Sequence, residues 1–218
     1  QIVEMMPQDA TGLKITAKQL AKVITSNTRL LILNSPSNPS GIVYSSRELA
    51  EIAQVIKQTG IYVLSDEIYD KITFDNLPFA SMTLFPEIRD QLIYVNGVSK
   101  TFAMTGWRIG FLAAHKDVVA AVRNYQGHST SNPTSISQKA ALEGYRADKA
   151  FLVEMKNAFQ QRRDYVHQRL NAIPDVRCEL PQGAFYAFPN FSAYYQKSNG
   201  ILSSMDLCSY LIENHNVS

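Results

Sequence analysis

The sequence is poor in the residues and patterns that mark several specialised classes of protein. Its 218 residues include only 2 cysteines and 1 tryptophan, and 21 lysines and arginines nearly balance 19 aspartates and glutamates. The two cysteines, Cys178 and Cys208, have neither metal-like nor redox-like spacing, which favours two buried thiols in a reducing compartment and hence the cytoplasm. The balance of charge argues against a nucleic-acid-binding protein.

Long hydrophobic runs and clustered metal ligands are also absent. The longest apolar stretches, such as residues 109–114, reach only about six residues, whereas a membrane span needs roughly 20, and no signal peptide is visible. The four histidines are scattered at positions 115, 128, 167 and 215 without ligand spacing. We therefore expect no membrane partner and no metal, and the 45% hydrophobic content predicts a globular protein.

Short apolar runs alternate with a helical pattern in the first two thirds of the sequence. Four runs are typical of strands, the first three of them buried on both faces: residues 29–33, 61–64, 92–95 and 108–114. Between the first two, Ser45 and Glu48 form a capping-box pattern, and the helix that follows is expected to end at Gly60. This alternation predicts an α/β fold with a mainly parallel sheet flanked by helices.

The pattern changes near residue 147, where we predict a domain boundary. Residues 1–146 are expected to form a large domain and residues 147–218 a small, unfinished α+β domain. The small domain is predicted to begin with a long helix over residues 150–172, whose apolar residues lie broadly on one side. Two strands at residues 176–179 and 184–188 would flank a turn, and a helix would cover residues 205–213.

Polar side chains collect where the predicted strands end. Asn38 follows the first strand, Asp66 and Tyr69 the second, and Lys100 the third. Because ligands of open parallel sheets bind beyond the carboxyl ends of the strands, we expect these side chains to share one rim. Arg108 is close enough to Lys100 in the chain to line the same crevice. Taken singly, an N-cap aspartate or a surface arginine is unremarkable, so the prediction depends on the set.

Lys100 is the least ordinary member of this set. It lies in a turn directly after a buried strand, where burial is expected, and a buried ammonium group is costly unless it is paired or used. A lysine in such a place can act as a Schiff-base nucleophile.

Three ordered segments carry a resemblance to a known family. They are residues 34–41 (NSPSNPSG), 65–69 (SDEIY) and 99–110 (SKTFAMTGWRIG), and the match extends through 130–134 (TSNPT) and 183–186 (GAFY). They resemble the signature segments of the fold type I, class I and II pyridoxal-phosphate-dependent aminotransferases, in the branch of the bacterial aspartate and aromatic enzymes. The resemblance implies the fold of those transferases, with residues 1–146 as the cofactor-binding domain.

The resemblance implies that Lys100, Asp66 and Tyr69 are the catalytic residues. Lys100 would form a Schiff base with the aldehyde of pyridoxal 5'-phosphate and then carry the proton between substrate and cofactor. Asp66 would pair with the pyridine nitrogen. A charge pair at about 4 Å is worth about 4 kcal/mol at an effective dielectric of about 20, which is enough to keep the ring cationic. A cationic ring is the electron sink that lets the substrate α-proton leave.

The same resemblance assigns further residues to cofactor and substrate binding. Tyr69 and Asn38 would donate hydrogen bonds to the cofactor phenolate oxygen, and Asn38 would also touch the substrate carboxylate. Arg108 would grip the phosphate, for which its planar fork of donors is suited, and Ser99 would assist. Three X-Pro bonds are candidate cis bonds that would aim these loops: Ser35-Pro36, Asn38-Pro39 and Asn132-Pro133.

The implied activity is transfer of the amino group of an L-amino acid to a 2-oxo acid such as 2-oxoglutarate. Aspartate is the first choice of donor, ahead of aromatic amino acids and alanine. Gly127 stands where one aspartate-specific branch has an arginine, which disfavours that branch. Ser131 and Asn132 resemble the stretch that reaches the partner subunit's site, which implies a homodimer.

Two alternatives from the same fold stay open. One is a lyase or decarboxylase, which would release ammonia or an alkene instead of forming a new amino acid. The other is a ligand-sensing domain of a transcription regulator, which binds the cofactor without turnover and would carry a DNA-binding segment ahead of Gln1. An accidental match of the three signatures is the remaining explanation.

The resemblance covers only the central and later part of the family's length. We expect both ends to be cut, since the chain begins with Gln1 and residues 211–213 read as a helix running onward. The phosphate-cradling loop, the aromatic residue that stacks on the cofactor and the arginine for the substrate α-carboxylate would lie outside this stretch. The 218-residue chain by itself is therefore expected to bind cofactor weakly and to turn over little substrate.

Overall fold

A twisted sheet with helices packed on it forms the first part of the chain. The structure is a computed structural model that describes residues 2–7, 12–195 and 200–217. The helices are α1 (Ala17–Val23), α2 (Ser46–Thr59), α3 (Lys116–Ser129), α4 (Ser135–Arg146), α5 (Ala150–Asn171) and α6 (Ser204–His215). The strands are β1 (Leu30–Asn34), β2 (Tyr62–Asp66), β3 (Leu92–Gly97), β4 (Gly110–Ala113), β5 (Arg177–Cys178) and β6 (Pro189–Asn190).

The main sheet has the strand order β1-β2-β3-β4. Strands β1, β2 and β3 are parallel, and β4 runs antiparallel to β3. Asn34 lies opposite Asp66, and Asp66 lies opposite Val95, so the carboxyl ends of the three parallel strands meet at one edge. The predicted α/β fold with a mainly parallel sheet is confirmed.

Helix α2 has the predicted caps and covers one face of the sheet. The Ser45 side chain accepts from the Glu48 N–H, the Glu48 side chain accepts from the Ser45 N–H, and Gly60 ends the helix with a φ of 72°. The apolar face of the helix is buried in the main core: Leu49, Ile52, Ala53 and Ile56.

The prediction that β1 is buried on both faces is wrong. Leu31 and Leu33 are buried against the α2 side, whereas Ile32 is 69% exposed and Leu30 is 42% exposed. Successive side chains of a strand point to opposite faces, and the face of β1 that carries Leu30 and Ile32 is exposed in the described structure. Strand β4 also begins later than predicted, at Gly110 instead of Arg108.

The strand expected at residues 184–188 is also not formed. The partner of β5 is β6, and residue 183 instead forms an isolated antiparallel bridge with Thr73. The Ala184 N–H donates to the Ile72 carbonyl (2.9 Å), so the backbone of this segment bonds to the loop after β2 and not to β5. The segment is thereby held beside Tyr69, in a small cluster of buried side chains with Ile72, Phe74 and Ala184.

Helix α5 begins at the predicted residue, but its one fully buried side chain is not part of the apolar pattern. Arg163 is buried, whereas Tyr165 is 65% exposed. The reason is a carboxylate on the loop after β2: both oxygens of Asp75 accept from the Arg163 guanidinium, at 2.8 and 2.9 Å. Met155 and Phe159 of α5 pack against the Tyr69 cluster, and the domain boundary near residue 147 stays a prediction.

Four smaller observations complete the description of the fold. Ser35-Pro36 and Asn38-Pro39 are cis as predicted, whereas Asn132-Pro133 is not. Cys178 is buried, but the prediction of burial is wrong for Cys208, because α6 has no buried side chain in the described structure. Within the described residues, no helix is both long and apolar enough to span a bilayer, and no three metal-ligating side chains are grouped.

Candidate active site

The candidate site lies at the carboxyl edge of the parallel strands. The Asn34 side chain at the end of β1 donates to the Asp66 carbonyl at the end of β2 (3.0 Å), which ties the two strand ends together. Its amide oxygen accepts from the Asn38 N–H (2.7 Å) and so holds the loop with the two cis bonds over this edge. Asn38 itself is exposed there.

Asp66 lies at the last position of β2, where the chain turns. Its half-buried carboxylate accepts from the Ile68 N–H (3.2 Å). This local bond is a common way for an aspartate to shape a turn. The turn directs Tyr69 inward, and only 3% of Tyr69 is exposed.

Tyr69 is the centre of the candidate site. Its hydroxyl oxygen lies 2.6 Å from the Tyr186 hydroxyl oxygen, and its ring packs edge-on against Phe185 (5.4 Å between centroids). Burial raises the pKa of the Tyr69 phenol well above its ordinary value, and Tyr186 and the negative charge of Asp66 raise it further. A hydrogen bond with the Asn38 side chain opposes this rise in pKa. Tyr69 is therefore a neutral phenol at physiological pH.

Lys100 approaches the same phenol from β3. Its ammonium nitrogen lies 5.8 Å from the Tyr69 ring centroid and 5.4 Å from the Phe185 ring centroid. A cation at this distance from aromatic faces is attracted by their negative electrostatic potential. Lys100 is half-buried, in a turn that is closed by the bond from the Phe102 N–H to the Val98 carbonyl (3.0 Å). The Tyr69 ring thus lies beside the Lys100 ammonium group, and the charge of Asp66 raises the pKa of the Tyr69 phenol.

Ser99 and Arg108 lie on either side of Lys100 in the chain. Ser99 directly precedes Lys100 and is half-buried. Arg108 follows the 3-10 turn Thr105–Trp107 and has a left-handed backbone, with a φ of 53°. Its guanidinium is exposed and donates to the Thr105 carbonyl (2.9 Å), which is a local contact. The geometry brings Asn38, Asp66, Tyr69 and Lys100 together, and it joins Arg108 to none of these four by a hydrogen bond within the described structure.

Two aromatic residues of the site have no role in the sequence-based prediction. Phe185 and Tyr186 belong to the segment GAFY, which carries part of the resemblance but was expected to be a plain strand. Phe185 also stacks on Phe159 of α5 (5.2 Å between centroids). The useful signal in the sequence is the pair of adjacent aromatic residues that begins two positions after Gly183, because adjacent positions in a strand cannot both face the same core.

The donor set suits pyridoxal 5'-phosphate. Lys100 has a primary amine that would suit an aldehyde, and Asp66 has a carboxylate that would suit a pyridine nitrogen. Tyr69 and Asn38 have hydrogen-bond donors that would suit a phenolate oxygen. The exposed Arg108 guanidinium makes one local bond, to the Thr105 carbonyl, and its other donors would suit phosphate oxygens. The parallel sheet with these groups at its carboxyl edge defines an α/β protein of the pyridoxal-phosphate-dependent transferase fold, type I.

Comparison with known proteins identifies the family. A family profile described as Aminotransferase class I and II matches residues 1–218. The chain is 42% identical over 205 residues to an aspartate aminotransferase of Bacillus sp. (strain YM-2), covering 94% of this chain and 52% of that protein. It is 45% identical over 178 residues to that of Geobacillus stearothermophilus, covering 81% and 45%. The chain belongs to the class I and II aminotransferase family, whose members use pyridoxal 5'-phosphate.

Solved structures support the same fold. The aspartate aminotransferase of Rhizobium meliloti superposes with a TM-score of 0.89 at 36% identity, covering 95% of this chain and 54% of that one. The aromatic aminotransferase of Pyrococcus horikoshii OT3 superposes with a TM-score of 0.90 at 31% identity, covering 99% and 57%. The chain therefore spans about half the length of the relatives that it matches.

Proposed function

We propose that the whole protein is an aminotransferase that moves the amino group of an L-amino acid to a 2-oxo acid such as 2-oxoglutarate. Aspartate is the proposed amino donor, which is supported by relatives named aspartate aminotransferase. The observation that carries the proposal is the position of the Lys100 amine, which lies 5.8 Å from the centroid of the buried Tyr69 ring. The negative charge of Asp66 in turn raises the pKa of the Tyr69 phenol. An amine, a phenol and a carboxylate are the groups that this chemistry needs in one place.

Lys100 has two tasks in this proposal. Its nitrogen would hold the cofactor through the aldehyde carbon until substrate takes its place, and the released amine would then move the substrate α-proton. When bound, the cofactor supplies the electron sink that makes this proton acidic. The aromatic rings of Tyr69 and Phe185 would keep the Lys100 side chain at the site between the two tasks, since they contact its ammonium group.

The other residues would orient and charge the site. Asp66 would keep a proton on the pyridine nitrogen, because a carboxylate beside that nitrogen favours its cationic form. Tyr69 and Asn38 would donate to the phenolate oxygen, and Asn38 would also meet the substrate carboxylate. Arg108 and Ser99 would hold the phosphate, and to do so Arg108 would exchange its local bond to Thr105 for phosphate oxygens.

Cofactor binding to the full-length protein tests the proposal directly. Addition of pyridoxal phosphate should produce a yellow absorption band, and Lys100→Ala should abolish it with an unchanged circular dichroism spectrum. Lys149→Ala is the matched control, since the Lys149 ammonium also lies over an aromatic ring, that of Phe102 at 5.1 Å. A Lys100→Ala protein that keeps the full band, or a Lys149→Ala protein that loses it, would contradict the proposal.

Asp66→Ala tests the role of the carboxylate. This variant should keep part of the colour but lose most turnover, because the ring nitrogen would no longer hold its proton. Normal transamination by Asp66→Ala would show that the assignment of Asp66 is wrong. Product analysis of the wild-type protein distinguishes the alternatives: a keto acid that forms in step with a new amino acid supports transfer, whereas ammonia or an alkene supports elimination or decarboxylation.

We also infer a homodimer in the cytoplasm. Ser131 and Asn132 are exposed just after the end of α3, where they would reach another subunit. The free thiols of both cysteines support a reducing compartment. A strictly monomeric full-length protein in size-exclusion chromatography would contradict the homodimer.

A further inference from the structure

Tyr186 places a second phenol against the central phenol of the site. The two hydroxyl oxygens of Tyr69 and Tyr186 are 2.6 Å apart, and either group can be the donor. The rings meet nearly at a right angle, with 5.7 Å between their centroids. A phenol has a single proton, so whichever tyrosine donates within this pair cannot donate the same proton elsewhere.

The Tyr186 hydroxyl is held in place by a rigid backbone segment. The Gly183 N–H donates to the Gly41 carbonyl (2.9 Å), and the Ala184 N–H donates to the Ile72 carbonyl (2.9 Å). Gly183 packs so closely that an added Cβ would lie 2.7 Å from the Ile72 carbonyl oxygen. The segment therefore has little freedom to move Tyr186 away from Tyr69.

We propose that Tyr186 is a positioning residue: its hydroxyl donates to the Tyr69 oxygen and turns the Tyr69 proton toward the rim formed by Asn38 and Lys100. This inference rests on the proposed function, in which Tyr69 donates to an anionic oxygen. Hydrogen bonds to a charged acceptor are shorter and stronger than those between neutral groups. Tyr69 therefore donates its hydrogen bond to that oxygen, and the Tyr186 hydroxyl is the donor in the bond between the two phenols.

The charges around Tyr69 favour this arrangement. The groups that face it are Asp66 from β2, Lys100 from the turn after β3 and Tyr186 from the segment after Gly183. Burial and the negative charge of Asp66 disfavour a phenolate, so Tyr69 keeps a proton that it can donate. A neutral phenol that also accepts a hydrogen bond is polarised into a better donor, because hydrogen bonds in a chain strengthen one another.

Tyr186→Phe in the full-length, cofactor-loaded protein tests the inference. The readout is the pH titration of the visible absorption band. In the proposed function, donation from Tyr69 to the phenolate oxygen of the cofactor lowers the pKa of this titration. We expect Tyr186→Phe to raise this pKa by about half a unit, which is the scale of part of one hydrogen bond. Phenylalanine keeps the ring contacts with Tyr69, so the fold is expected to persist. Tyr165→Phe, at a phenol that is 65% exposed on α5, is the control and should leave the titration unchanged.

A double-mutant cycle with Tyr69→Phe separates positioning from a general structural effect. In the Tyr69→Phe background, Tyr186→Phe should have no further effect on the titration, because the proton that it positions is gone. An unchanged pKa in the single variant, a lowered pKa, or an equal shift in both backgrounds would overturn the inference. If the wild-type protein formed no visible band, the proposed function would fail instead, and the two failures are thus distinguishable.

Discussion

At the scale of single residues, two consecutive acidic side chains after β2 face different environments. Asp66 lies at the candidate site, whereas Glu67 is 2% exposed in the core on the other side. One Glu67 oxygen accepts from the Ser65 hydroxyl (2.9 Å) and from the Met82 N–H (3.0 Å). Burial nevertheless raises the pKa of Glu67 above its ordinary value, in spite of these hydrogen bonds.

This raised pKa makes the stability of the protein depend on pH. The unfolded chain ionises Glu67 near its ordinary pKa, whereas the folded protein keeps the proton to higher pH. The contribution of Glu67 is therefore fully present below the ordinary pKa and is lost as the pH rises through the folded pKa. Each unit of difference between the folded and unfolded pKa values of Glu67 lowers the free energy of unfolding at high pH by about 1.4 kcal/mol.

Glu67→Gln should remove this pH dependence. We expect the free energy of unfolding of the variant, relative to wild type, to increase from pH 4 to pH 8, as measured by urea titration at several pH values. Glu87→Gln, at an exposed position, is the control and should show no such trend. A constant difference between Glu67→Gln and wild type over this range would disprove the interpretation.

A second residue pair joins helix α5 to the loop after β2. The Arg163 guanidinium donates to both oxygens of Asp75 and to the Pro181 carbonyl (2.8 Å), and it lies over the Phe74 ring. The Arg163 Nε lies 2.7 Å from an Asp164 oxygen but forms no hydrogen bond with it. The hydrogen-bonded ion pair of Arg163 is therefore the one with Asp75. The hydrogen bonds from Arg163, together with its positive charge, lower the pKa of Asp75.

Asp75→Asn should weaken this connection. The buried guanidinium would lose its carboxylate, and we expect a loss of about 1 kcal/mol in the free energy of unfolding at pH 7, a low value because the Asp75 side chain is 53% exposed. Since the pKa of Asp75 is lowered, this contribution is present above the ordinary pKa of aspartate and is lost as the pH falls through the folded one. Urea titrations at pH 7 and pH 3 measure it, with the exposed Asp90→Asn as control. An equal loss at both pH values would count against the ion pair.

At the scale of elements, the segment after the turn at Pro181 contributes more to the candidate site than the two-stranded sheet beside it does. Its backbone is bonded to the loop after β2, and the Phe74 N–H donates back to the Gln182 carbonyl (2.9 Å). Gly183 allows this close approach, because an added Cβ would meet the Ile72 carbonyl oxygen at 2.7 Å and Pro36 at 2.9 Å. The segment carries the aromatic side chains that contact Tyr69.

Gly183→Ala should therefore disturb both stability and the site. We expect a loss of about 1–3 kcal/mol in the free energy of unfolding, as is typical of an added methyl group in a packed region, and a weaker cofactor band. Gly127→Ala is the matched control, since nothing lies within 4 Å of a Cβ at that position in helix α3. The control should be stabilised by up to about 1 kcal/mol, because alanine favours the helix. Equal effects of the two substitutions, measured by thermal and urea unfolding, would refute the packing argument.

At the scale of the whole molecule, both edge strands of the main sheet carry exposed apolar side chains. Ile32 on β1 is 69% exposed, and Phe111 on β4 is 45% exposed. A cleft beside β1 is lined by Leu31, Ile32 and Leu33, and a second cleft is lined by Phe111 and Val119. Uncovered edges with apolar side chains promote pairing between chains.

The 218-residue polypeptide is therefore expected to self-associate through the exposed apolar side chains of its edge strands. Ile32→Lys should reduce the association constant about tenfold, the effect of roughly 1.4 kcal/mol at the contact. Sedimentation velocity over a range of concentrations measures this. Ile136→Lys, at a 71% exposed position on helix α4, outside the sheet, should have a smaller effect. If both substitutions reduced association equally, net charge and not the edge would be responsible.

Much of the sheet could be predicted from local patterns. The runs that became β1, β2 and β3 are short, apolar and bounded by turn residues, and the caps of α2 are set by side chains within three residues of each other. The meeting of Asn38, Asp66 and Lys100 at one edge follows from the geometry of parallel strands, which needs no knowledge of other contacts.

The sequence by itself thus determined the α/β class, the main strands, one capped helix and the set of polar residues at the sheet edge, because these depend on neighbours in the chain. Only the tertiary structure decided that residues after Gly183 bond to the loop after β2, that Arg163 is buried by Asp75, and that Tyr186 meets Tyr69. Each of these contacts joins residues 88 or more positions apart. Such pairs form only when the helices and the sheet have packed, so no local pattern in the chain encodes which partner each side chain finds.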